Sequence, residues 1–132
     1  MAFLDVDGLK HANDEHGHAG GDAVLRTLGA ALLANMRSYD LAMRYGGDEF
    51  VCILPGFNLA AAHLRFTALL ATLAAGEPPI SVTFGLSEWK RGEDTDALLA
   101  RADGALYDVR KTEREGDDPN AVAAHGLLTS SA

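Results

Sequence analysis

The stretch Arg44-Tyr45-Gly46-Gly47-Asp48-Glu49-Phe50 decides the fold of this chain, because it places a tight turn directly before a strand. Adjacent glycines can adopt the positive φ angles of a two-residue β-hairpin, so Gly46 and Gly47 predict such a turn. The apolar run over residues 50–54 follows at once and predicts a buried strand. We therefore expect a hairpin at the centre of the fold.

Asp48 and Glu49 lie at the mouth of the predicted turn, where their carboxylates supply the hard oxygen ligands that Mg²⁺ prefers. Because glycine has no Cβ, a bulky ligand can approach the backbone closely at Gly46 and Gly47. This combination predicts a metal-dependent nucleotide site. An ordinary surface hairpin with solvated acidic side chains is the alternative, since so short a motif also occurs by chance.

Length and composition predict one globular domain. The chain has 132 residues, 48% of them hydrophobic, which suffices for one sizeable core but not for two domains. The formal net charge is −8, and the 11 Lys and Arg residues form no long basic run, which argues against binding nucleic acid through its phosphates. Cys52 is the single cysteine and is expected to be a small buried hydrophobe.

The sequence predicts neither a transmembrane helix nor a hydrophobic signal segment in this piece. No apolar stretch approaches the roughly 20 residues of a transmembrane helix, so we expect a cytoplasmic piece, while the full-length protein could be membrane-anchored. The chain opens abruptly with the strand residues Phe3, Leu4 and Val6, so residues upstream are expected to be missing. Residues 116–132 lose all periodicity and are expected to form a disordered tail or linker.

Apolar periodicity and turn signals predict the element order β-α-β-β-α-β-α. The polar, glycine-rich residues 10–21 are predicted to be a loop, or a short helical turn entering a loop, before an amphipathic helix that has Asp22 near its start. Alternating apolar residues over 80–86 predict a half-buried strand. Asn58 and either Asp94 or Thr95 are the expected N-caps of the later helices.

This order predicts an α/β (α+β) fold with a ferredoxin-like, mostly antiparallel sheet, built from a β-α-β-β-α-β core with helices on one face. Such a sheet places the end of the first strand beside the hairpin, so Asp5 is expected to meet Asp48 and Glu49. Three converging carboxylates would repel one another unless a divalent metal were bound. Asp5 and Asp7 are expected to point to opposite faces, so that one binds metal and the other is structural.

Three histidines, His11, His16 and His18, raise the alternative of a transition-metal site. Their spacings do not place them on one helical face, and no cysteine joins them. Structural hydrogen bonding is therefore the expected role of these side chains.

Several short motifs occur in a fixed order along the chain. They are Phe3-Leu4-Asp5-Val6-Asp7-Gly8-Leu9-Lys10, Asn13-Asp14, Gly17-His18, Gly21-Asp22, the hairpin stretch 44–50, and Ala102-Asp103-Gly104-Ala105-Leu106-Tyr107. Together they resemble the GGDEF domain of bacterial diguanylate cyclases from residue 3 to about residue 114. The resemblance implies a nucleotidyl-cyclase palm over residues 1–115 that lacks the N-terminal helix usual in the family.

The resemblance implies that two GTP molecules condense to cyclic di-GMP and two pyrophosphates. Each GTP would be held by one subunit of a transient two-fold homodimer. Two Mg²⁺ (or Mn²⁺) ions per GTP half-site would polarise the α-phosphate and lower the pKa of the attacking 3′-hydroxyl. A sensor domain that controls the reaction would lie upstream, outside these residues.

By position, the resemblance implies that Asp5, the backbone carbonyl of Val6, Asp48 and Glu49 hold the metal ions. One of the two hairpin carboxylates, Asp48 or Glu49, would also assist deprotonation of the hydroxyl, which gives this pair a catalytic role. Asn13 would recognise the guanine edge together with Asp22. A carboxylate can accept hydrogen bonds from the N1 and exocyclic amino groups of guanine, which adenine does not present.

The resemblance places phosphate binding on Lys10, Arg110 and Arg114. The family usually has a lysine where Arg110 stands, and Gly-Arg-Asn where Glu113-Arg114-Glu115 stands. The positive charges are kept, so phosphate binding should survive. The two added glutamates could weaken GTP affinity by repulsion.

Arg37-Ser38-Tyr39-Asp40 stands where many family members carry an R-x-x-D site that binds the product and inhibits the enzyme. Arg37 could stack on guanine, with Asp40 reading its Watson–Crick edge. We therefore hypothesise allosteric feedback by the product. An Arg beside an Asp is otherwise usually a solvated surface pair of little consequence.

The function predicted in this way is Mg²⁺-dependent synthesis of cyclic di-GMP. A catalytically silent GGDEF module that senses GTP or cyclic di-GMP is the alternative. Silent versions typically lose a hairpin acid or glycine, and none is lost here. Another nucleotidyl cyclase or polymerase-like palm is disfavoured by the guanine-type pair Asn13 and Asp22, although the fold alone would not exclude it.

Overall fold

The structure, a computed structural model, describes residues 1–116 and 126–129. Its first seven elements follow the predicted order. The strands and helices are β1 (Ala2–Val6), α1 (Leu9–Ala34), β2 (Leu41–Arg44), β3 (Glu49–Ile53), α2 (Leu59–Ala74), β4 (Val82–Ser87), α3 (Thr95–Glu115) and β5 (Gly126–Thr129). Within these residues, no helix combines the length and the apolar character that crossing a membrane requires.

The strands form one sheet in the order β2-β3-β1-β4-β5. β1 pairs antiparallel with both β3 and β4, and β2 pairs antiparallel with β3. The short strand β5 adds to β4 in parallel. The predicted ferredoxin-like, mostly antiparallel α+β sheet is therefore confirmed, with the first strand at its centre and the hairpin beside it.

Two of the three described helices cover one face of the sheet. Leu28 and Leu32 of α1 and Phe66 and Leu70 of α2 are buried against strand residues such as Leu4. Apolar spacing of three and four residues creates these faces. Asn58 caps α2 by accepting a 2.8 Å hydrogen bond from the Ala61 amide, which confirms its predicted role.

The third helix packs on the opposite face, where Phe3 and Val51 meet Ala102 and Leu106 in a second core. Asp94 is its N-cap. Because α3 covers this face, every residue of β4 is buried, and the predictions of a half-buried strand and of helices on one face only are wrong. Gly85 makes this packing possible, since a Cβ there would overlap the α3 backbone.

The first helix begins earlier than predicted, at Leu9 instead of near Asp22. Within residues 10–21, helical geometry is interrupted at Gly17, with φ 70° and ψ −176°. The polar composition that predicted a loop instead supplies the mostly exposed surface of a helix. The kink at Gly17 needs a left-handed φ that glycine adopts without strain.

Four residues of the predicted tail, Gly126–Thr129, form β5 on the edge of the sheet. The rest of that tail, residues 117–125 and 130–132, lies outside the described residues.

Candidate functional site

Three carboxylates meet where β1 ends beside the hairpin. The antiparallel register pairs Asp5 with Glu49, and the Val6 amide donates a 2.9 Å hydrogen bond to the Asp48 carbonyl. Asp5, Asp48 and Glu49 each offer a carboxylate oxygen within 4.8 Å of the others. The structure thus brings together the metal-binding residues that the sequence predicts, with Val6 directly beside them.

The electrostatics of this cluster fit a divalent cation. Burial raises the pKa of the Asp5 carboxyl to about 7; Arg110 opposes this shift, and the carboxylates of Asp48 and Glu49 add to it. The Oδ1 atom of Asp5 is buried and has no hydrogen-bond partner in the described part of the chain. Oxygen ligands of this kind and number suit Mg²⁺ or Mn²⁺.

Arg110 links the cluster to α3. Its guanidinium donates 2.9 Å and 2.8 Å hydrogen bonds to the carboxylates of Asp5 and Asp7. Both aspartates therefore face the same side, and the prediction that they point to opposite faces is wrong, because residues two positions apart in an extended chain share a face. Asp7 also accepts hydrogen bonds from Ser81 and Thr83, which fits a structural role.

The hairpin turn is braced by Arg44, whose role does not follow from its place at the start of the hairpin stretch. Its guanidinium donates 3.1 Å and 2.8 Å hydrogen bonds to the carbonyls of Gly46 and Gly47. Neither glycine has a positive φ, so that prediction is wrong. The absent side chain matters at Gly46 for another reason, because a Cβ there would overlap the Glu49 carboxylate.

A cavity of about 480 Å³ opens between the first half of α1 and the hairpin. Asn13 and Asp22, the predicted guanine ligands, line it together with Lys10, and Asp48 of the acidic cluster lines the same cavity. The Asn13 Oδ1 atom is buried without a hydrogen-bond partner in the described residues. Gly21 leaves room for the Asn13 side chain, which a Cβ at that position would overlap.

The three histidines lie at two different places in the structure. His18 lines the 480 Å³ cavity, whereas His11 and His16 lie on the other side of α1, 3.2 Å and 3.7 Å from the Glu15 carboxylate. These two side chains are mostly exposed. They line a second cavity of about 610 Å³ between α1 and α2, whose lining includes none of the three carboxylates.

The predicted phosphate ligands lie at two places. Lys10 lines the cavity, whereas Arg110 contacts the acidic cluster from α3. Arg114 is exposed one turn further along α3, and residues four apart lie on the same face of a helix. Cations are therefore available on two sides of the carboxylates.

Arg37 and Asp40 form an ion pair at the other end of the β2–β3 hairpin. The Asp40 carboxylate accepts hydrogen bonds from the Arg37 backbone amide, Nε and Nη2 at 2.7–3.1 Å. These hydrogen bonds hold the pKa of Asp40 below its usual range. The Asp40 side chain is 0% exposed, so this is no solvated surface pair.

Comparison with known proteins agrees with this geometry. The family model "Diguanylate cyclase, GGDEF domain" matches residues 1–116. The chain is 36% identical over 122 residues to diguanylate cyclase DgcP of Pseudomonas aeruginosa and 37% identical over 121 residues to DgcZ of Escherichia coli K12. These matches cover 87% and 86% of the chain but only 18% and 41% of the two relatives, so the chain spans less than half of either protein.

Solved structures agree as well. The GGDEF domain of PA1120 from Pseudomonas aeruginosa superposes with a TM-score of 0.79 at 29% identity, covering 99% of this chain and 81% of that one. The GGDEF domain of DgcB from Caulobacter crescentus, solved in complex with c-di-GMP, gives 0.76 at 26% identity, covering 96% and 75%. On the family match over residues 1–116, the chain belongs to the diguanylate cyclase GGDEF domain family.

Proposed function

We propose that this chain is the catalytic domain of a diguanylate cyclase, which condenses two GTP into cyclic di-GMP. The observation that carries the proposal is the convergence of Asp5, Asp48 and Glu49 beside a cavity lined by Asn13 and Asp22. A cation-binding cluster and a guanine-type donor and acceptor pair share one site. Such an arrangement suits a nucleoside triphosphate bound with divalent metal.

In the proposed reaction, the 3′-hydroxyl oxygen of one GTP bonds to the α-phosphorus of the other, and the bond from that phosphorus to the β-phosphate oxygen breaks to release pyrophosphate. The same step in the other direction closes the ring and releases the second pyrophosphate. Asp5, the Val6 carbonyl, Asp48 and Glu49 would hold two Mg²⁺ or Mn²⁺ ions. When bound, these ions supply charge stabilisation at the phosphate and lower the pKa of the hydroxyl. One of the hairpin carboxylates accepts the hydroxyl proton.

The other residues of the site orient the nucleotide. Asn13 and Asp22 hold the guanine edge, because both line the cavity and their amide and carboxylate groups supply the donor and acceptors that guanine pairs with. Lys10, Arg110 and Arg114 offset the charge of the phosphates. Because each chain holds one GTP, the reaction requires two chains facing one another as a transient homodimer.

Feedback by the product at Arg37 and Asp40 is part of the proposal. The pair lies at the far end of the hairpin from the acidic cluster, which makes the two sites distinct, as allosteric inhibition requires. The DgcB domain solved with c-di-GMP supports binding of this product within the family.

The test is incubation of the chain at high concentration with GTP and Mg²⁺, followed by chromatography for cyclic di-GMP. We expect product from the native chain and a loss of about a hundredfold or more in Glu49→Gln, which removes a charge at the reacting centre. Glu88→Gln, an exposed acid at the opposite end of the sheet, is the matched control and should keep full activity.

Tight binding of GTP or cyclic di-GMP without turnover in the native chain would instead favour a silent sensing module. Loss of activity in the Glu88→Gln control would show that the assay responds to general charge or stability, and not to the hairpin.

A further inference from the structure

The guanidinium of Arg37 is already engaged by the protein itself. Nε and Nη2 donate to the Asp40 carboxylate, and Nη2 also donates to the Pro55 carbonyl at 2.8 Å. Asp40 is fully enclosed and uses both of its oxygens on Arg37. These hydrogen bonds use Nε and Nη2, so an incoming base would meet the plane of the guanidinium and its remaining Nη1 group.

That plane is also in contact with aromatic side chains. The Arg37 Cζ atom lies 4.5 Å from the centre of the Tyr39 ring and 4.3 Å from the centre of the Phe57 ring. A guanidinium stacks favourably on aromatic rings, and a guanine base would use the same surface. Two rings of this chain thus occupy the positions that a stacking ligand needs.

The two rings differ in how firmly they are held. Phe57 packs against the main hydrophobic core and carries the guanidinium of Arg65 at 5.3 Å in addition to that of Arg37. Tyr39 is 59% exposed and lies in the turn between α1 and β2. The Phe57 ring is therefore held in place by the core. The exposed Tyr39 ring can move away from Arg37 without disturbing the core.

We propose that Tyr39 is a built-in competitor of the product: its ring stacks on Arg37 in the place of a guanine, and cyclic di-GMP must displace it to bind. The inference rests on the proposed function, because it requires Arg37 to be the product site. Its consequence is that Tyr39 lowers the affinity of feedback inhibition, so that product must accumulate further before it stops the enzyme.

The opposite role for Tyr39 makes a different prediction. If its ring stayed in place and stacked on the bound product, removal of the ring would weaken binding. Displacement predicts that removal tightens binding by about two- to thirtyfold, the range of affinity that a cation–π contact of ordinary strength represents.

The test is calorimetric titration of the full chain with cyclic di-GMP, with a non-hydrolysable GTP analogue and Mg²⁺ present to fill the catalytic cavity. We expect Tyr39→Ala to bind more tightly than the native chain, Tyr39→Phe to stay within twofold of it, and Arg37→Ala to lose binding. Circular dichroism and thermal melting of each variant verify that an exposed substitution leaves the fold intact.

If Arg37→Ala binds like the native chain, or if no variant binds, the product site proposed above is wrong and the inference falls with it. If Arg37→Ala loses binding while Tyr39→Ala binds equally or more weakly, the product site stands and displacement of Tyr39 is wrong. Binding that only Tyr39→Ala shows would support displacement strongly.

Discussion

At the residue scale, the surroundings of Asp5 disfavour the charged form of its carboxyl group. Burial raises its pKa to about 7, and the ion pair with Arg110 only partly offsets this. A carboxyl group whose pKa is higher in the folded state than in the unfolded state stabilises the fold fully below the unfolded value, near 4. That contribution is lost as the pH rises through about 7.

We therefore expect Asp5→Asn to raise the melting temperature of the metal-free protein at pH 8 by several degrees, and to change it little at pH 4.5. Melting curves in EDTA at the two pH values measure the difference. Addition of Mg²⁺ should stabilise the native chain but not the variant, because the cation needs the Asp5 carboxylate. A stabilisation that is equal at both pH values would contradict this account of Asp5.

Gly46 leaves the space that the Glu49 carboxylate occupies, and Gly47 has open space around it. We expect Gly46→Ala to weaken Mn²⁺ binding by about tenfold, the scale typical when a residue that orients a metal ligand is changed. Gly47→Ala is the matched control and should bind Mn²⁺ like the native chain. Electron paramagnetic resonance of free Mn²⁺ measures both, and equal affinities in the two variants would refute the role of Gly46.

At the scale of elements, the contact between β4 and α3 depends on the missing side chain of Gly85. A Cβ there would overlap backbone atoms of Ala102 and Leu106, which cannot move as a flexible side chain can. We expect Gly85→Ala to lower the free energy of unfolding by about 1–3 kcal/mol, as overpacking of a core does. Urea denaturation measures this change.

The control for this prediction is a glycine of α3, the helix that packs against Gly85. Gly104 is exposed within α3, and a Cβ there would meet nothing within 4 Å. Gly104→Ala should raise the free energy of unfolding by about 0.5–1 kcal/mol, because alanine favours the helix more than glycine does. Destabilisation by both substitutions would show that α3 is sensitive to any added methyl group, and not to a close contact at Gly85.

The sequence predicts those features of the fold that depend on residues close together in the chain or on the order of the strands. Asn58 capped α2 as expected, and the convergence of Asp5 with the hairpin acids followed from strand order alone. The start of α1 was missed because polar residues form both loops and exposed helical turns. The full burial of β4 does not follow from the strand's own alternation, because it depends on α3, the next element along the chain, packing back over the second face.

The sequence likewise predicts one part of the candidate site and not another. Carboxylates, Asn13 and Asp22 could be placed from their motifs, and the structure brings them to one cavity and its rim. Arg44, which braces the turn, and the enclosure of Arg37 by aromatic rings were not predictable, because each depends on a side-chain direction that spacing does not define.

At the scale of the whole molecule, the described residues bring one cluster of three acids, Asp5, Asp48 and Glu49, beside the cavity of about 480 Å³. If the proposed reaction joins one GTP on each of two chains, we expect the specific activity to rise with protein concentration and to level off when dimers predominate. Rates of product formation over a hundredfold range of chain concentration measure this. A specific activity that is constant over that range would show that one chain, or a preformed dimer, suffices.

The hydrogen bonds from Arg110 to Asp5 and Asp7 join positions 105 and 103 residues apart, nearly the full length of the domain. During synthesis, the aspartates leave the ribosome long before the arginine does, since a chain is made from its N-terminus. A truncated chain that ends before α3 lacks the helix that packs on the second face of the sheet. It also lacks Arg110, the positive charge that pairs with Asp5 and Asp7. Asp5 and Asp7 thus gain this counter-charge only when α3 has been made.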